Sequence, residues 1–314
     1  MSAARFFLGV DGGGTKTEFV CIDAAGTVAA RQIEGTTYHL QVGLDGAVRA
    51  LEAGIAGICA QLDITPADLA YAFFGLPAFG EDSAIDPLLD GHCRRLLGHD
   101  RYCCGNDMIC GWAGSLACAD GINLVAGTGS IGYGERQGKA ARVGGWGEVF
   151  GDEGSAYWIA IQGLNAFTRM SDGRLSRGPL HDIFRRCLGL AADLDICAKV
   201  MGERGLERDG IAALAPIVAE AAAAGDPAAI RIHDRAAEEL AALAEALRTQ
   251  LGFASEEPVC LSWSGGVLAN DASVRARLED RLRSRGPYQL VEPRHSPAYG
   301  AALYAAHRAG EPPA

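Results

Sequence analysis

The stretch Asp11-Gly12-Gly13-Gly14-Thr15-Lys16-Thr17 decides the fold. The apolar run FFLGV precedes it and EFVCID follows it, so the glycines form a turn between two predicted strands. A third predicted strand, VAARQIEG, completes a β-meander. Successive glycines allow backbone N–H groups to point into one concavity that binds phosphate oxygens. The turn therefore predicts a phosphate site, with a hairpin that holds no ligand as the alternative.

A Walker-A loop is excluded at this turn. That motif requires Lys directly after its last glycine, whereas Thr15 follows Gly14, and the next segment is a predicted strand instead of a helix. Asp11, at the end of a buried strand, is suited to hold Mg²⁺ through water. The predicted phosphate-binding residues of the turn are Gly12, Gly13, Gly14, Thr15, Lys16 and Thr17.

The opening pattern returns in INLVAGTGSIGYGERQG, which again predicts a strand, a glycine turn and a strand. Its core formally satisfies G-x-G-x-x-G, but a dinucleotide-binding fold requires a helix at this point. The following residues, YGERQGKAARVGG, have no helical apolar stripe. The sequence therefore predicts a second phosphate turn, which with the first would clamp a triphosphate. Its residues are Gly127, Thr128, Gly129 and Ser130.

Two such meanders form a weak internal repeat and predict an α/β protein of two similar domains. We place them at residues 1–118 and 119–314, with a nucleotide cleft between them. Apolar spacing predicts a helix from Gly46 to Leu62 and a largely helical stretch from Ala156 to about Leu251. The last predicted helix is PAYGAALYAAHRAG, and packing of this helix on the first domain is left open.

Ser264-Gly265-Gly266 follows the apolar strand VCLSW. Paired glycines at a strand end let the backbone approach a flat ligand, as adenosine would require. An ordinary strand-to-helix turn is the other interpretation of this motif.

Asp107 lies on the predicted loop after the last strand of the first domain. Transfer of a phosphoryl group to an alcohol needs an in-line arrangement and a carboxylate that accepts the hydroxyl proton. We predict Asp107 as that base, and a helix N-cap is its competing role.

A sugar site is predicted by Gly144-Gly145-Trp146-Gly147-Glu148 and the following Gly151-Asp152-Glu153-Gly154-Ser155. An aromatic face can stack on a sugar, and carboxylates can accept its hydroxyl protons. Capping of the helix predicted from Ala156 is the other role open to Asp152, Glu153 and Ser155, and both roles can hold together.

Composition narrows the function further. The net charge of −11, from 28 basic and 39 acidic side chains, argues against non-specific binding to nucleic acid or anionic membranes. The start, MSAARFFLGVDGGG, lacks the apolar region of a signal peptide, so we expect a cytoplasmic protein. The ten cysteines include no C-x-x-C pair and are interpreted as reduced core residues.

In this order, the motifs resemble the N-acetylglucosamine kinase and BadF/BadG/BcrA/BcrD-type ATPase family of the actin-like superfamily. DGGGTKT resembles its first phosphate motif, GTGS its second and SGG its adenosine motif, while GGWGEVFGDEGSAYW is similar to the N-acetylglucosamine kinase signature and PAYGAALYA to the C-terminal helix. The resemblance covers nearly the whole chain. It implies two actin-like (ribonuclease H-like) domains, use of ATP and Mg²⁺, and a homodimer.

The resemblance also implies roles for single residues. Thr15 and Thr128 would contact ATP, and Asp107 would contact the acceptor hydroxyl as the base. The segment around Ala212 would contact adenine by a looser match. The sugar pocket would be lined by Gly145, Trp146 and Asp152.

One segment departs from the family pattern. Family kinases commonly place an Asn against the sugar in the segment that here is Thr36–Gly43, which contains no Asn. Tyr38 or Thr37 takes that position, and His39 or Gln41 is available as the polar partner. His39 as a satisfied structural residue is the alternative. The departure leaves the identity of the sugar open.

The expected reaction is transfer of a phosphoryl group from ATP to the 6-hydroxyl of an amino sugar. N-acetylglucosamine is the first candidate, and glucosamine or N-acetylmuramic acid is the next. A BadF-type ATPase activator subunit is the alternative from another class, although such proteins carry cysteines for a cluster that bridges two subunits. Here the cysteines lie outside any glycine-rich motif of that type. A nucleotide-dependent sensor without turnover is a third interpretation.

Overall fold

A β-meander and two further strands form the first sheet in the computed structural model, which describes residues 5–313. The strand order is β3-β2-β1-β4-β5, with β1 antiparallel to β2 and parallel to β4. A short 3₁₀ turn spans Pro66–Asp68. The other elements are β1 (Phe6–Gly12), β2 (Lys16–Asp23), β3 (Val28–Gly35), α1 (His39–Leu62), β4 (Leu69–Leu76), α2 (Asp86–Leu97), β5 (Tyr102–Asn106) and α3 (Met108–Leu116).

The second sheet repeats this plan. Read from its meander edge, the strand order is β8-β7-β6-β9-β10, which matches the first sheet strand for strand. Here too the meander is antiparallel and the last two strands are parallel to its first strand. The predicted internal repeat is therefore confirmed at the level of strand order. The strands are β6 (Gly121–Ala126), β7 (Ser130–Arg136), β8 (Lys139–Gly144), β9 (Val259–Ser264) and β10 (Tyr288–Leu290).

The helices of the second half lie mostly between its third and fourth strands. They are α4 (Ala156–Ser171), α5 (Pro179–Leu188), α6 (Asp195–Met201), α7 (Arg208–Ala212), α8 (Ala215–Ala223) and α9 (Pro227–Leu251), followed later by α10 (Gly266–Asn270) and α11 (Ala272–Arg285). No single described helix is long and apolar enough to cross a membrane. By length and composition only, the bent pair Arg208–Ala223 and Pro227–Leu251 meets that test when its two parts are taken together.

Helix α1 differs from its predicted bounds. It begins at His39 instead of Gly46, but Gly43 has φ 70° and ψ 168°, which is not helical. Residues 39–42 are therefore a separate turn placed before the long helix. This separate turn contains His39, which the sequence predicts as a sugar contact.

The chain divides into two compact units. One contains the residues up to Asp120 together with those from Glu292 on, and the other spans Gly121–Val291. The closing helix α12 (Pro297–Arg308) packs on α3 and β1 of the first unit. Small residues permit this approach, since a methyl group added at Gly300 would lie 2.1 Å from the Gly114 nitrogen. Each unit has its own apolar core, around Phe19 and Phe74 in the first and around Phe167 and Leu240 in the second.

Candidate active site

The first glycine turn presents its tip to solvent. Across the turn, the Gly13 N–H donates to the Lys16 carbonyl at 2.9 Å, and Gly14, Thr15 and Lys16 are exposed. Thr17 is fully buried instead. Its hydroxyl donates to Thr37 Oγ1 at 3.1 Å and accepts a hydrogen bond from the Thr37 nitrogen. The tip is therefore open to a ligand, whereas Thr17 holds the next segment against the turn and is not brought to the surface.

Two carboxylates meet at the same edge of the first sheet. Strands β1, β4 and β5 are parallel, and their register aligns Asp11 with Gly75 and Gly75 with Gly105. Asp107 follows Gly105 by two residues. A methyl group added at Gly75 would lie 3.4 Å from the Asp107 Cα and 2.2 Å from Cys110 Sγ. The glycine thus leaves room for the start of α3 to pack against the ends of β1 and β4.

The pKa of Asp11 reflects the electrostatics of this sheet edge. Burial, and secondly the negative charge of Asp107, raise the pKa of this carboxyl from 3.8 to about 7, while a hydrogen bond with the Cys110 thiol opposes the shift. Burial and a second negative charge both disfavour an ionised carboxyl. Asp11 and Asp107 therefore share one electrostatic environment, in which an added cation would be stabilised.

Asp107 occupies the N-cap position of α3, but its side chain makes no capping hydrogen bond. The local cap comes from Asn106, whose Oδ1 accepts from the Met108 nitrogen at 3.2 Å and whose Nδ2 donates to the Phe79 carbonyl at 3.3 Å. The capping alternative for Asp107 is therefore not realised. Its carboxylate is half-buried at the sheet edge.

The segment before α1 lies against the first turn. Thr36 Oγ1 donates to the Gly13 carbonyl at 2.6 Å, and the hydroxyl of Thr37 abuts Gly12. His39 follows and is only 7% exposed. Neither of its ring nitrogens has a hydrogen-bond partner among the described residues. A buried polar group without a partner is unfavourable, and such a group is often completed by a ligand or water.

The second glycine turn joins β6 to β7 in the second unit. Ala126 pairs with Ser130, and the Gly127 N–H donates to the Gly129 carbonyl at 2.9 Å. The first residues of α4 are tied to the turn, since the Ala156 nitrogen donates to the Gly127 carbonyl at 2.8 Å. Thr128 is half-buried on this turn. The prediction of a hairpin here, and of no helix, is confirmed.

The glycine-rich loop after β8 returns to the same turn. Asp152 lies on this loop, is 3% exposed and has φ 57°, the left-handed region that non-glycine residues seldom adopt. Its Oδ1 accepts from the Ser130 nitrogen at 3.3 Å. Ser155 caps α4 by accepting from the Trp158 nitrogen at 3.1 Å, whereas Asp152 does not cap. Trp146, also on this loop, is 72% exposed.

Arg208 is a site residue that the sequence analysis missed. It begins α7, and its Nη2 lies 2.7 Å from Asp152 Oδ2 while its Nε lies 3.0 Å from Glu148 Oε2. The arginine thus joins two carboxylates of the glycine-rich loop. The sequence offers no local signal for this contact, because Arg208 lies 56 residues after Asp152.

A cavity of about 470 Å³ lies beside the second turn. It brings together Gly127 and Thr128 of that turn, Ala212 of α7 and Gly266 of the adenosine motif. A methyl group added at Gly127 would lie 3.7 Å from the Gly265 Cα, so the two motifs are adjacent. The remaining lining is mostly small and apolar, with a few polar residues: Ala156, Ile159, Asp209, Ala213, Ala215, Pro216, Ala219, Val267, Asn270 and Asp271. The volume and lining fit a small, flat organic ligand.

Within residues 5–313 there is no cluster of three or more His, Cys, Asp or Glu side chains suited to a metal ion. Mg²⁺ is commonly held by one or two carboxylates together with water and substrate phosphates. Asp11 beside Asp107 fits that arrangement, because the raised pKa of Asp11 reflects an excess of negative charge and burial at this edge.

Comparison with known proteins identifies the family. The sequence profile of the BadF/BadG/BcrA/BcrD ATPase family matches residues 8–305. The chain belongs to this family. Among its relatives, an N-acetyl-D-glucosamine kinase from Dictyostelium discoideum is 29% identical over 311 residues, which cover 96% of this chain and 98% of that protein. An N-acetylmuramic acid/N-acetylglucosamine kinase from Clostridium acetobutylicum is 27% identical and covers 96% and 98% of the two chains.

Solved structures agree with this assignment. A candidate N-acetylglucosamine kinase from Chromobacterium violaceum is 26% identical, with a TM-score of 0.71 and coverage of 96% of this chain and 99% of that chain. The predicted family and the α/β actin-like fold class are confirmed. The prediction of an ATP-dependent sugar kinase is confirmed as well.

Proposed function

We propose that this family member transfers the γ-phosphoryl group of ATP to the 6-hydroxyl of an amino sugar, with N-acetylglucosamine as the first candidate. The observation that carries the proposal is the pair Asp11 and Asp107 at one edge of the first sheet, beside a glycine turn with an open tip. One carboxylate suits a metal ion and the other a hydroxyl proton, and phosphoryl transfer to an alcohol needs both.

Asp107 would act as the general base. As the sugar oxygen forms its bond to the γ-phosphorus, the bond from that phosphorus to the bridging oxygen of ADP breaks, and the hydroxyl proton passes to the Asp107 carboxylate. The half-buried position of Asp107 gives the carboxylate access to a substrate without full hydration. Carboxylates so placed typically contribute about a hundredfold or more to the rate.

Asp11 would hold Mg²⁺ through water. When bound to the phosphates, the ion supplies neutralisation of the charge that moves to ADP. A cation beside Asp11 favours its ionised form, which opposes the effects of burial and of Asp107 on its pKa. Lys16, exposed on the same turn, supplies a further positive charge for phosphate oxygens.

The nucleotide would bind in the second unit. Thr128 and the turn at Gly127–Ser130 would contact phosphates, while Ala212 and the Gly265-Gly266 pair would lie against adenosine. This assignment is supported by the cavity of about 470 Å³, on which these separately predicted motifs converge. The mostly small and apolar lining suits the flat face of a base.

The residues proposed to recognise the sugar lie in two segments of the chain. Tyr38 and His39 in the first, and Gly145, Trp146 and Asp152 in the second, are the proposed contacts. His39 is the strongest of them, because its buried ring nitrogens have no partner among the described residues. It provides the polar contact that the missing Asn would otherwise make. Both oxygens of Asp152 accept hydrogen bonds and the residue is 3% exposed, so its direct contact with a sugar requires the carboxylate to become more accessible.

The choice of sugar can be settled by an assay of ADP release with a coupled enzyme. The panel is N-acetylglucosamine, glucosamine, N-acetylmuramic acid, N-acetylmannosamine and glucose, and phosphorus NMR of the product identifies the phosphorylated oxygen. We expect N-acetylglucosamine to give the highest kcat/KM and a 6-phosphate product. No ADP release with any sugar, although ATP binds, would contradict the kinase assignment for this chain.

The homodimer implied by the resemblance is part of the same proposal. Sedimentation of the purified chain at several concentrations tests it directly. A mass of one chain at every concentration, with full kinase activity, would remove the dimer from the proposal and leave the chemistry intact.

A further inference from the structure

Ser130 connects the second phosphate turn to both ends of the glycine-rich loop. Its carbonyl accepts from the Gly145 nitrogen at 3.0 Å, near the start of the loop. Its own nitrogen donates to Asp152 Oδ1 at 3.3 Å, and its hydroxyl donates to the Glu153 carbonyl at 2.7 Å, near the end of the loop. The turn and the loop are therefore one hydrogen-bonded assembly within the second unit.

Arg208 completes this assembly from a third element. Its guanidinium spans Asp152 and Glu148, with separations of 2.7 Å and 3.0 Å. The Arg208 guanidinium also lies close to the second turn, since a methyl group added at Gly129 would lie 2.7 Å from Arg208 Nη2 and 2.8 Å from Asp152 Oδ2. Any side chain larger than glycine at that position would separate the arginine and aspartate from the turn.

The arginine is also continuous with the nucleotide cavity. The next residue, Asp209, lines that cavity, and so does Ala212 on the following turn of α7. A ligand that orders α7 against the turn would therefore fix the position of Arg208. The Arg208 side chain is 41% exposed, whereas Asp152, with which it pairs, is 3% exposed.

Asp152 shows that the assembly holds a strained geometry. Its φ of 57° is unfavourable for a non-glycine residue, and such positions persist only where surrounding contacts impose them. The imposing contacts here are the Ser130 nitrogen and Arg208. Loss of either contact would let the loop relax and change the position of Trp146 and Asp152.

We propose that Arg208 is a positioning residue that couples binding of the nucleotide to binding of the sugar. The inference rests on the proposed function, because it takes the cavity as the nucleotide site and the glycine-rich loop as part of the sugar site. Nucleotide in the cavity orders α7, α7 fixes Arg208, and Arg208 sets Asp152 and Glu148. By linkage, the sugar must then raise the affinity for the nucleotide by the same factor.

Calorimetry tests the coupling. The dissociation constant of a non-hydrolysable ATP analogue is measured without and with saturating N-acetylglucosamine. The wild-type chain should show a ratio between the two constants on the order of 5–150-fold. Arg208→Ala should bring this ratio close to one. Arg208→Lys should restore only part of it, since an ammonium cannot span two carboxylates as a guanidinium does.

Matched variants keep the test decisive. Arg186→Ala removes another partly exposed arginine of the same unit, which pairs with Glu220, and should retain the wild-type ratio. Glu148→Gln breaks only one arm of the Arg208 bridge and should lower the ratio even if Arg208→Ala fails to fold.

An unchanged ratio in Arg208→Ala, with or without a lower melting temperature, would overturn the coupling role. So would a wild-type ratio of one in a chain that phosphorylates the sugar. Failure of the wild-type chain to release ADP with any sugar would instead count against the proposed function.

Discussion

The two sheets share one strand order but place different chemistry at corresponding turns. In the first sheet Val10 is followed by Asp11 and the glycine turn, whereas in the second Val125 is followed by Ala126. The acid of the first sheet lies near Asp107, and its pKa is raised to about 7 by burial and by that neighbour.

At the second turn, the nearby acid Asp152 is paired with Arg208 instead. A carboxylate whose pKa is raised by burial and by a second acid, as at Asp11, is suited to bind a metal ion or a proton. A carboxylate neutralised by an arginine is suited to fix the geometry of a loop. Under the proposed function, this difference would give the first sheet the metal-binding and proton-accepting carboxylates and the second sheet a carboxylate that orders the glycine-rich loop.

Asp107→Asn tests the chemical half of this comparison and should have the largest effect. Asparagine keeps the size of the side chain but cannot accept the hydroxyl proton, so kcat should fall by roughly a hundredfold or more. Affinity for ATP should stay nearly unchanged, because Asp107 is proposed to act on the sugar hydroxyl, and the cavity proposed for adenosine is lined by residues of the other unit. Steady-state kinetics with both substrates varied measures both quantities.

Asp100→Asn is the control for that experiment. Asp100 is an exposed acid of the same unit, paired with Arg94, and its replacement should leave kcat at the wild-type value. Normal turnover in Asp107→Asn would remove Asp107 from the mechanism and with it the assignment of chemistry to the first sheet.

Ala213→Phe tests the recognition half. Ala213 lines the cavity and is exposed at its rim, so a phenyl ring can occupy the cavity without disturbing the buried core. The KM for ATP should rise on the order of tenfold, while the KM for sugar should change little. Ala192→Phe, also at an exposed position of this unit but outside the cavity lining, is the matched control. An equal rise in both KM values would mean that the cavity is not specific to the nucleotide.

His39→Leu should have a smaller effect, of several-fold, on the KM for sugar. Leucine fills a similar volume and removes two buried nitrogens that have no partner among the described residues. Because an unsatisfied buried polar group destabilises the folded state, the melting temperature should stay the same or rise. A lower melting temperature together with an unchanged KM would show that His39 has a structural role, which is the alternative named for it.

His39→Asn sharpens the same test. It introduces, at the position of the proposed polar partner, the residue type that family kinases place in this segment, and it keeps a polar group in the buried position. We expect it to retain more of the sugar affinity than leucine does.

Much of the fold could be predicted because its signals are local. Glycine turns between apolar runs located β1, β2 and β3, and the same pattern located β6 and β7. Helix α11 also has a local signal, because Val274, Leu278 and Leu282 recur at helical spacing after the capping residue Asp271.

The missed parts of the site depend on distant contacts. Arg208 contacts Asp152 only because α7 packs beside the second turn. A helix of five residues is too short to show a periodic apolar pattern in the sequence, so α7 could not be predicted from such a pattern. The burial of Thr17 likewise follows from Thr37, which lies 20 residues away. The motif showed which residues form the turn, but not which of them reach its surface.

For Asp11→Asn we expect a small change in the melting temperature of the ligand-free chain, which is separate from any loss of turnover that follows from its proposed role with Mg²⁺. The folded chain raises the pKa of Asp11 from 3.8 to about 7, chiefly by burial and secondly through Asp107. A raised acid contributes stability that is present at low pH and lost as pH rises through the folded value. Without nucleotide or metal, Asp11→Asn should therefore melt a few degrees above wild type near pH 8, and this difference should shrink toward pH 5. If Asp11→Asn and wild type melt at the same temperature at pH 8 as well as at pH 5, the pKa of Asp11 is not raised in the folded chain. The electrostatic contrast between the two sheet edges would then be lost.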